Sequence, residues 1–580
     1  MNKLVKHGYL FLLPSLLVMV AGAVVFFVLG FNTGIDFSSG LSEQIQIAPV
    51  GMRVSYEGSD TAVLSTQGGD LRVTMRGASG VSVTDFPSSL YPTVSELASA
   101  LSSVPGVKAE SVRGELESQA LVSGALFPLT LSAEKTGVNF ATPTADVRTE
   151  DRSRTVISYQ AGILEEMKSQ VERRAFLRVY DGKMWYYASV TDLNHLQKTL
   201  DGLYAAAAPN DQILDDPTVR RFERNRDTVL SFADCSVRDI PAKDKQALLL
   251  SYLPLLSEDK CVTMPSGSYL DRSSLFHFQS SLGADITYDY QTCGLSFSCD
   301  MAEGEKKFSG HWQKGATRFD ELKGLTETIR AAMAEQTAFL RSSVPVEPGK
   351  YPVVLSPEAA GVFAHESFGH KSESDFMLSD EAMRDEWQLG KTVGSPILSI
   401  AECGSVPGCG YVPYDDEGTK ARKNYLIKNG VLAGCLHSAQ TAAALDEGLT
   451  GNARAIDCTF EPIVRMTTTY IEGGDLDFDQ LIAPIKKGYY IKTIRHGSGM
   501  STFTIAPSLA YEIVDGKLGR PVQISVLTGS VFETLGLIDG LTRDVQLLSF
   551  VTGGCGKMEQ MNLPVGFGGP YVRVSSMNVQ

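Results

Sequence analysis

Seven residues, Ala364-His365-Glu366-Ser367-Phe368-Gly369-His370, constrain this chain more than any others. Just before them, residues 351–355 (YPVVL) read as a short strand. Ser356 is a good N-cap, Pro357 suits the first helical position, and Glu358 favours the positive end of a helix dipole. A strand therefore gives way to a helix that carries both histidines. In the commoner H-E-x-x-H spacing, both imidazoles share one helical face. Here the second histidine comes one residue later. At about 100° per residue, five steps set the rings about 140° apart on an ideal helix. They converge only if the helix widens or breaks, and a single π-type turn does this. Gly369 eases such a distortion. Neutral imidazoles bind metal ions, and an adjacent carboxylate can take a proton from an activated water. Two unrelated histidines on a buried helix satisfy the same spacing.

The chain has 580 residues, room for three or four domains. Hydrophobic content of 43% and charged content of 21% describe a globular protein, not a disordered one. A net charge of −15 argues against direct nucleic-acid binding, which needs clustered cations. Nine scattered cysteines with no C-x-x-C pair suggest a reduced protein rather than a disulfide scaffold.

Lys3 and Lys6 precede an uncharged run over residues 8–35. Its apolar core can span a bilayer and is too long for an ordinary signal-peptide core. Residues 8–31 are therefore expected to be a retained membrane helix. The preceding lysines put the N-terminus in the cytoplasm and the rest of a single-pass chain outside.

The expected architecture is multidomain α+β. Residues 1–35 are the cytoplasmic tip and transmembrane helix. Residues 36–126 are a small α+β module, with short apolar runs between Gly/Ser turns and a helix over 94–101. Residues 127–345 are an α+β domain, and residues 346–580 a β-rich catalytic domain that carries the histidine helix. Within 127–345, strands are expected at 147–149 and 155–158, an amphipathic stretch at 164–171, and a hairpin across Asp181-Gly182. A helix is expected at 193–208 and a long one at 320–340, with Leu322, Leu325, Ile329 and Met333 on one face. Val344-Pro345-Val346-Glu347-Pro348-Gly349 is the best boundary. Asp415-Asp416-Glu417-Gly418 reads as a hydrophilic turn, and His437 and His496 as structural. There is no Walker loop, G-x-S-x-G elbow or dinucleotide fingerprint.

A catalytic zinc needs a third protein ligand and an open position. Cys555, in Gly553-Gly554-Cys555-Gly556-Lys557, is the best candidate. Its glycines allow close backbone approach, and Lys557 would favour a thiolate. From spacing alone, a buried turn cysteine accounts for it more simply.

Two resemblances extend this reading. Gly34-Ile35-Asp36-Phe37, with Ser39 in place of a usual glycine, resembles the signature after the first membrane helix of the SecF and SecD protein-export family. The likeness continues weakly to Arg113-Gly114-Glu115-Leu116 and stops there. It implies an anchor and docking module, and an alternative function as a non-enzymatic, membrane-anchored export accessory.

From about residue 145 to 574 the chain resembles the TldD/PmbA zinc metalloproteases, also called modulators of DNA gyrase. The ordered blocks are GVFAHESFGHKSESDF, YDDEGTKARKNYLIKNGVLAG, TGNAR, RMTTTYIEGGD and GGCGKMEQMNLPVGFGGPYVRV. This resemblance implies zinc held by His365, His370 and Cys555, with Glu366 as the catalytic carboxylate. It also implies a peptidase for unfolded or extended peptides, working with a TldE/PmbA-type partner subunit or as a homo-oligomer. Glu373 lies near the family's acidic position after the motif, where it would orient a histidine; a solvated surface carboxylate fits the sequence equally well. Family precedent is cytoplasmic, whereas the anchor points the catalytic part outward.

Overall fold

The structure is a computed structural model. It describes residues 50–580 apart from 68–69, 116–117, 119–120, 122–126, 140–143, 209 and 211. The expected membrane helix over 8–31 and the Gly34-Ile35-Asp36-Phe37 signature lie outside the described residues. Among the described residues, no helix is long and apolar enough to cross a membrane.

Residues 50–139 build two small sheets and a helix. Val50–Tyr56 pairs with Val107–Ser111 on one side and Thr136–Asn139 on the other. Thr61–Gln67, Asp70–Gly77 and Gly80–Phe86 form a meander that also takes Leu129–Thr130. The helix Val94–Leu101 starts at a capping box: Thr93 Oγ1 accepts from Glu96 N (3.3 Å), and the Glu96 carboxylate accepts from Thr93 N (3.0 Å). Its Val94, Leu97 and Leu101 share a core with Met52, Val54, Leu64 and Val73. Because 129–130 and 136–139 pair within these sheets, the module runs past residue 126, where sequence reading ended it.

A long, mostly antiparallel sheet follows, with Arg226–Val229 as a parallel edge strand. Its strands β1 (Thr144–Gln160), β2 (Ile163–Tyr180), β3 (Val262–Ser280), β4 (Asp285–Glu303) and β5 (Lys306–Ala316) lie in the order β2-β1-β3-β4-β5. The hairpin expected around Asp181-Gly182 is present, with Trp185–Val190 on the edge of β2. The two strands expected at 147–149 and 155–158 are one strand, and 164–171 is strand as well. Charges hid this continuity. Asp146, Arg148 and Glu150 face a buried surface, where they pair with Arg178 (2.8 Å), Asp416 (2.9 Å) and Arg272 (2.7 Å). The long helix α1 (Thr326–Ser342) begins six residues later than expected, because Gly324 at φ +71° separates it from a 3₁₀ turn at Phe319–Leu322. Ile329, Met333, Phe339 and Leu340 of α1 pack on the sheet.

The last domain holds the site between two sheets. Its relevant elements are β6 (Gly349–Leu355), α2 (Pro357–Ala364), β7 (Thr468–Ile471), β8 (Lys487–Gly499), β9 (Thr502–Val514), β10 (Gln546–Ser549), β11 (Cys555–Lys557), β12 (Gly566–Gly569) and β13 (Val572–Val579). An eight-stranded sheet carries β9-β8-β6-β13 in sequence, and a six-stranded sheet carries β7-β12-β10 with β10 at its edge. Helix α2 is buried between them. Ala359, Ala360, Phe363 and Ala364 have no exposed surface and share a core with Val353, Ile491 and Phe503. Burying a side chain the size of Phe363 contributes about 1.5–3 kcal/mol, so the helix start is fixed by packing as well as by its cap.

Asp415-Asp416-Glu417 is not the hydrophilic turn expected. Asp415 and Glu417 are buried. Asp415 accepts hydrogen bonds from the backbone N–H groups of Glu417 (3.0 Å), Thr419 (2.9 Å) and Ala453 (3.0 Å). Asp416 pairs with Arg148 at 2.9 Å and Glu417 with Arg178 at 3.2 Å. The turn thus ties the last domain to β1 and β2.

Candidate metal centre

Helix α2 begins as its sequence dictates. Ser356 Oγ accepts from Ala359 N (3.2 Å), and Pro357 takes the first turn. At His365 the helix widens into one π turn, His365–Gly369, followed by a 3₁₀ turn, His370–Ser372. This removes the angular mismatch of the six-residue motif. The two imidazole centroids are 5.1 Å apart, with ring planes at 80°. A β-carbon at Gly369 would overlap the Met466 sulfur, so a larger residue here would displace that side chain.

Cys555 reaches the same place from 185 residues downstream of His370. Gly553, at φ +90°, turns the chain just ahead of β11. Arg465 has no exposed surface and donates to Cys555 O (2.7 Å) and Gln560 O (3.1 Å), which pins the cysteine backbone. Cys555 Sγ lies 3.5 Å from His370 Nε2. One ligand atom from each of His365, His370 and Cys555 lies within 4.8 Å of the others.

The local chemistry suits a cation. His365 Nδ1 is buried without a hydrogen-bond partner, which by itself costs about 1–3 kcal/mol. Burial opposes ionisation of the Cys555 thiol, but the charge and hydrogen bonds of His365 and His370 outweigh it and hold its pKa well below the usual range. Burial likewise opposes charge on the rings. Cys555 raises the pKa of His365, while hydrogen bonds to Cys555 and Glu373 hold that of His370 well above its ordinary value. A thiolate and two imidazoles at this separation are a donor set for a borderline-soft divalent ion.

Glu373 is not a surface carboxylate. It has no exposed surface, and its Oε2 lies 3.1 Å from His370 Nδ1, which leaves Nε2 of that ring facing the cysteine. Burial would raise its pKa, but the hydrogen bond and charge of His370, then Lys557 and Arg465, lower it. Lys557 acts otherwise than its sequence position suggested. Its ammonium lies 3.2 Å from Glu373 and 2.7 and 2.8 Å from the Asp375 oxygens, and it donates to Val464 O at 2.8 Å. It braces the acidic residues behind His370 instead of facing the thiol.

Glu366 is half-buried on the wall of a cleft of about 1020 Å³ that also exposes His365 and Cys555. Strand β8 presses on it from one side: a β-carbon at Gly497 would lie 3.2 Å from Glu366 Cγ. His496, read from sequence as structural, is exposed in this cleft. A second group, Cys435, His437 and Glu447, also has metal-ligand atoms close together. Both ring nitrogens of His437 are already engaged, by Thr441 and by Glu447 at 3.1 Å each, and burial pushes the Cys435 thiol far up. His437 is therefore the structural histidine that sequence reading made it.

Comparison with known proteins identifies the family. Residues 348–580 match the family model for the PmbA/TldA metallopeptidase C-terminal domain, and residues 145–207 match PmbA/TldA metallopeptidase domain 1. A Saccharolobus solfataricus protein named zinc metalloprotease TldD homolog is 32% identical over 471 residues, spanning 78% of this chain and 99% of its own. Two solved structures share the fold. One, from Thermotoga maritima, is described as a candidate modulator of a DNA gyrase; it has a TM-score of 0.59 at 17% identity and covers 75% of this chain and 96% of its own. The other, TldE from Thermococcus kodakarensis, has a TM-score of 0.58 at 15% identity, with the same coverage.

Proposed function

Because the chain belongs to the PmbA/TldA metallopeptidase family, we propose that it hydrolyses unfolded or extended peptides at a zinc ion held by His365, His370 and Cys555. The single observation that carries this reading is the closure of two imidazoles and one thiol within 4.8 Å, beside Glu366 on an open cleft. Bound there, zinc would supply Lewis acidity toward the scissile carbonyl and the attacking water. Glu366 takes the water proton and later hands it to the leaving amine. No donor among the described residues hydrogen-bonds its carboxylate, so it is free for this work. Glu373 holds His370 in one tautomer, and Arg465 holds the cysteine strand in register.

The cleft walls suit an extended chain. Strand β5 lies at the edge of the long sheet and β10 at the edge of the six-stranded sheet. Strand β8 pairs with β6 only through Tyr489–Ile491; just beyond, Lys492 O accepts from Ser356 Oγ at 2.7 Å and Ile494 N donates to Glu358 at 2.9 Å. A peptide strand can pair its main chain with the β5 and β10 edges with little sequence preference. The likeness to TldE supports a partner subunit of the same fold or a second copy of this chain.

The test uses the purified full-length chain. It should hold one tightly bound zinc and cleave an unstructured peptide. Glu366→Gln should keep the metal and lose cleavage; full activity in that variant would refute the assigned base.

A further inference from the structure

The segment that leads into Cys555 rests on a surface that supplies no ligand of its own. Gly294 of β4 and Gly315 of β5 stand directly opposite each other in the long sheet. Gln313 lies two residues before Gly315, so all three residues share one face. The opposite face is packed core, where Leu295 and Phe297 have no exposed surface. Glycines inside strands weaken a sheet, and they mark places where another backbone comes close. Here that backbone is the segment 549–552. A β-carbon at Gly294 would overlap Val551 Cγ2, and one at Gly315 would lie 2.6 Å from Ser549 O. Beside the two glycines, Gln313 Oε1 accepts from Val551 N at 2.9 Å and from Thr552 N at 3.3 Å.

Only Gly553 and Gly554 separate this anchor from the thiol. Gly553 has φ +90°, and a β-carbon there would meet open space, so no packing fixes its conformation. The place of Cys555 is therefore imposed from its flanks. On the far side, Leu563 pairs with Cys555, and Arg465 donates to its carbonyl oxygen at 2.7 Å. On the near side, the long sheet holds Ser549, Val551 and Thr552.

We propose that Gln313 and the notch formed by Gly294 and Gly315 position Cys555 for the metal, so that the long sheet sets one side of the metal site without contributing a ligand. This rests on the zinc reading above. Gln313 is a positioning residue, acting on the metal through the segment 551–554. Zinc affinity then depends on how the sheet of β1–β5 seats against the last domain. Partners that orient a metal ligand contribute about 10–100-fold to metal affinity, and one acting through a short stretch of backbone belongs at the lower end.

The experiment uses the full-length chain with three substitutions, Gln313→Ala, Gln313→Glu and Gly315→Ala. Zinc affinity is read by competition with a chelating dye. Sulfur ligation is read from the near-ultraviolet sulfur-to-metal band of the cobalt-loaded chain. Hydrogen exchange over 551–557, followed by mass spectrometry on metal-free protein, reads the segment itself. Gln313→Ala should weaken zinc binding about tenfold and lower the cobalt–sulfur band. It should also speed exchange over 551–557 about tenfold while α2 exchanges as before. Gln313→Glu keeps an acceptor oxygen and should stay within about twofold of wild type in every readout. Gly315→Ala should behave like Gln313→Ala, because its methyl group displaces Ser549 O. Zinc affinity of Gln313→Ala within about twofold of wild type would overturn the proposal, as would unchanged exchange over 551–557. Both outcomes stand even if Gly315→Ala fails to fold. Equal losses in a folded Gln313→Glu would overturn the role of the acceptor oxygen. If the unsubstituted chain takes up no zinc, the zinc reading falls, and exchange in the metal-free chain still decides whether the sheet positions Cys555.

Discussion

Replacing Glu373 tests whether the metal group depends on what stands behind it. The carboxylate has no exposed surface, and its Oε2 lies 3.1 Å from His370 Nδ1 and 3.2 Å from Lys557 Nζ. Removing it does not strand the lysine, which keeps Asp375 at 2.7 and 2.8 Å and Val464 O at 2.8 Å. The loss therefore falls on His370, whose ring is freed to rotate and to change tautomer. Partners of this kind typically contribute 10–100-fold to metal affinity, or about 1.4–2.7 kcal/mol. Glu373→Gln keeps an acceptor but no charge and should weaken zinc binding about tenfold; Glu373→Ala keeps neither and should weaken it about 100-fold. Competition of the full-length protein against a chelating dye measures both. Asp375→Asn, which touches Lys557 but not the imidazole, should cost less than Glu373→Ala. Affinities for all three variants within about twofold of wild type would refute the reasoning.

Other consequences are equally direct. Arg178→Met leaves Asp146 and Glu417 buried without their shared cation, at 2.8 and 3.2 Å in the native protein. It should cost about 3–5 kcal/mol in urea unfolding, whereas an unchanged midpoint would show that the lock between the domains is idle. Burial holds the Glu358 carboxyl at about 7 against an ordinary 4.5, so between those values the folded chain keeps a proton that the unfolded chain releases. Stability should fall as pH rises through that window, and Glu358→Gln should flatten the fall by about 1–3 kcal/mol, read from unfolding midpoints at about pH 5 and about pH 8.

The parts of the fold that were legible in the sequence are those fixed by near neighbours. The Ser356 cap, the Pro357 start and the widened turn at His365–Gly369 follow from residues within one or two helical turns. The meeting of Cys555 with the histidines does not. It depends on Arg465 and on sheet positions a hundred or more residues from α2, and no spacing encodes it; the glycines around Cys555 made it a candidate ligand, and only resemblance to a family joined it to the histidines. Charged stretches misled for the same reason. Arg148 and Glu150 look like loop residues until Asp416 and Arg272 come to them across the fold. Asp415-Asp416-Glu417 has a turn's composition and is buried by partners that local reading cannot see. Lys557 stands two residues from the thiol in sequence, yet its ammonium faces Glu373 and Asp375.

X-ray absorption at the zinc edge of the purified full-length protein tests the central claim most directly. The account predicts a first shell with two imidazole nitrogens at about 2.0–2.1 Å and one sulfur at about 2.3 Å, the sulfur disappearing in Cys555→Ser. A zinc shell of nitrogen and oxygen alone in the unsubstituted protein would contradict it.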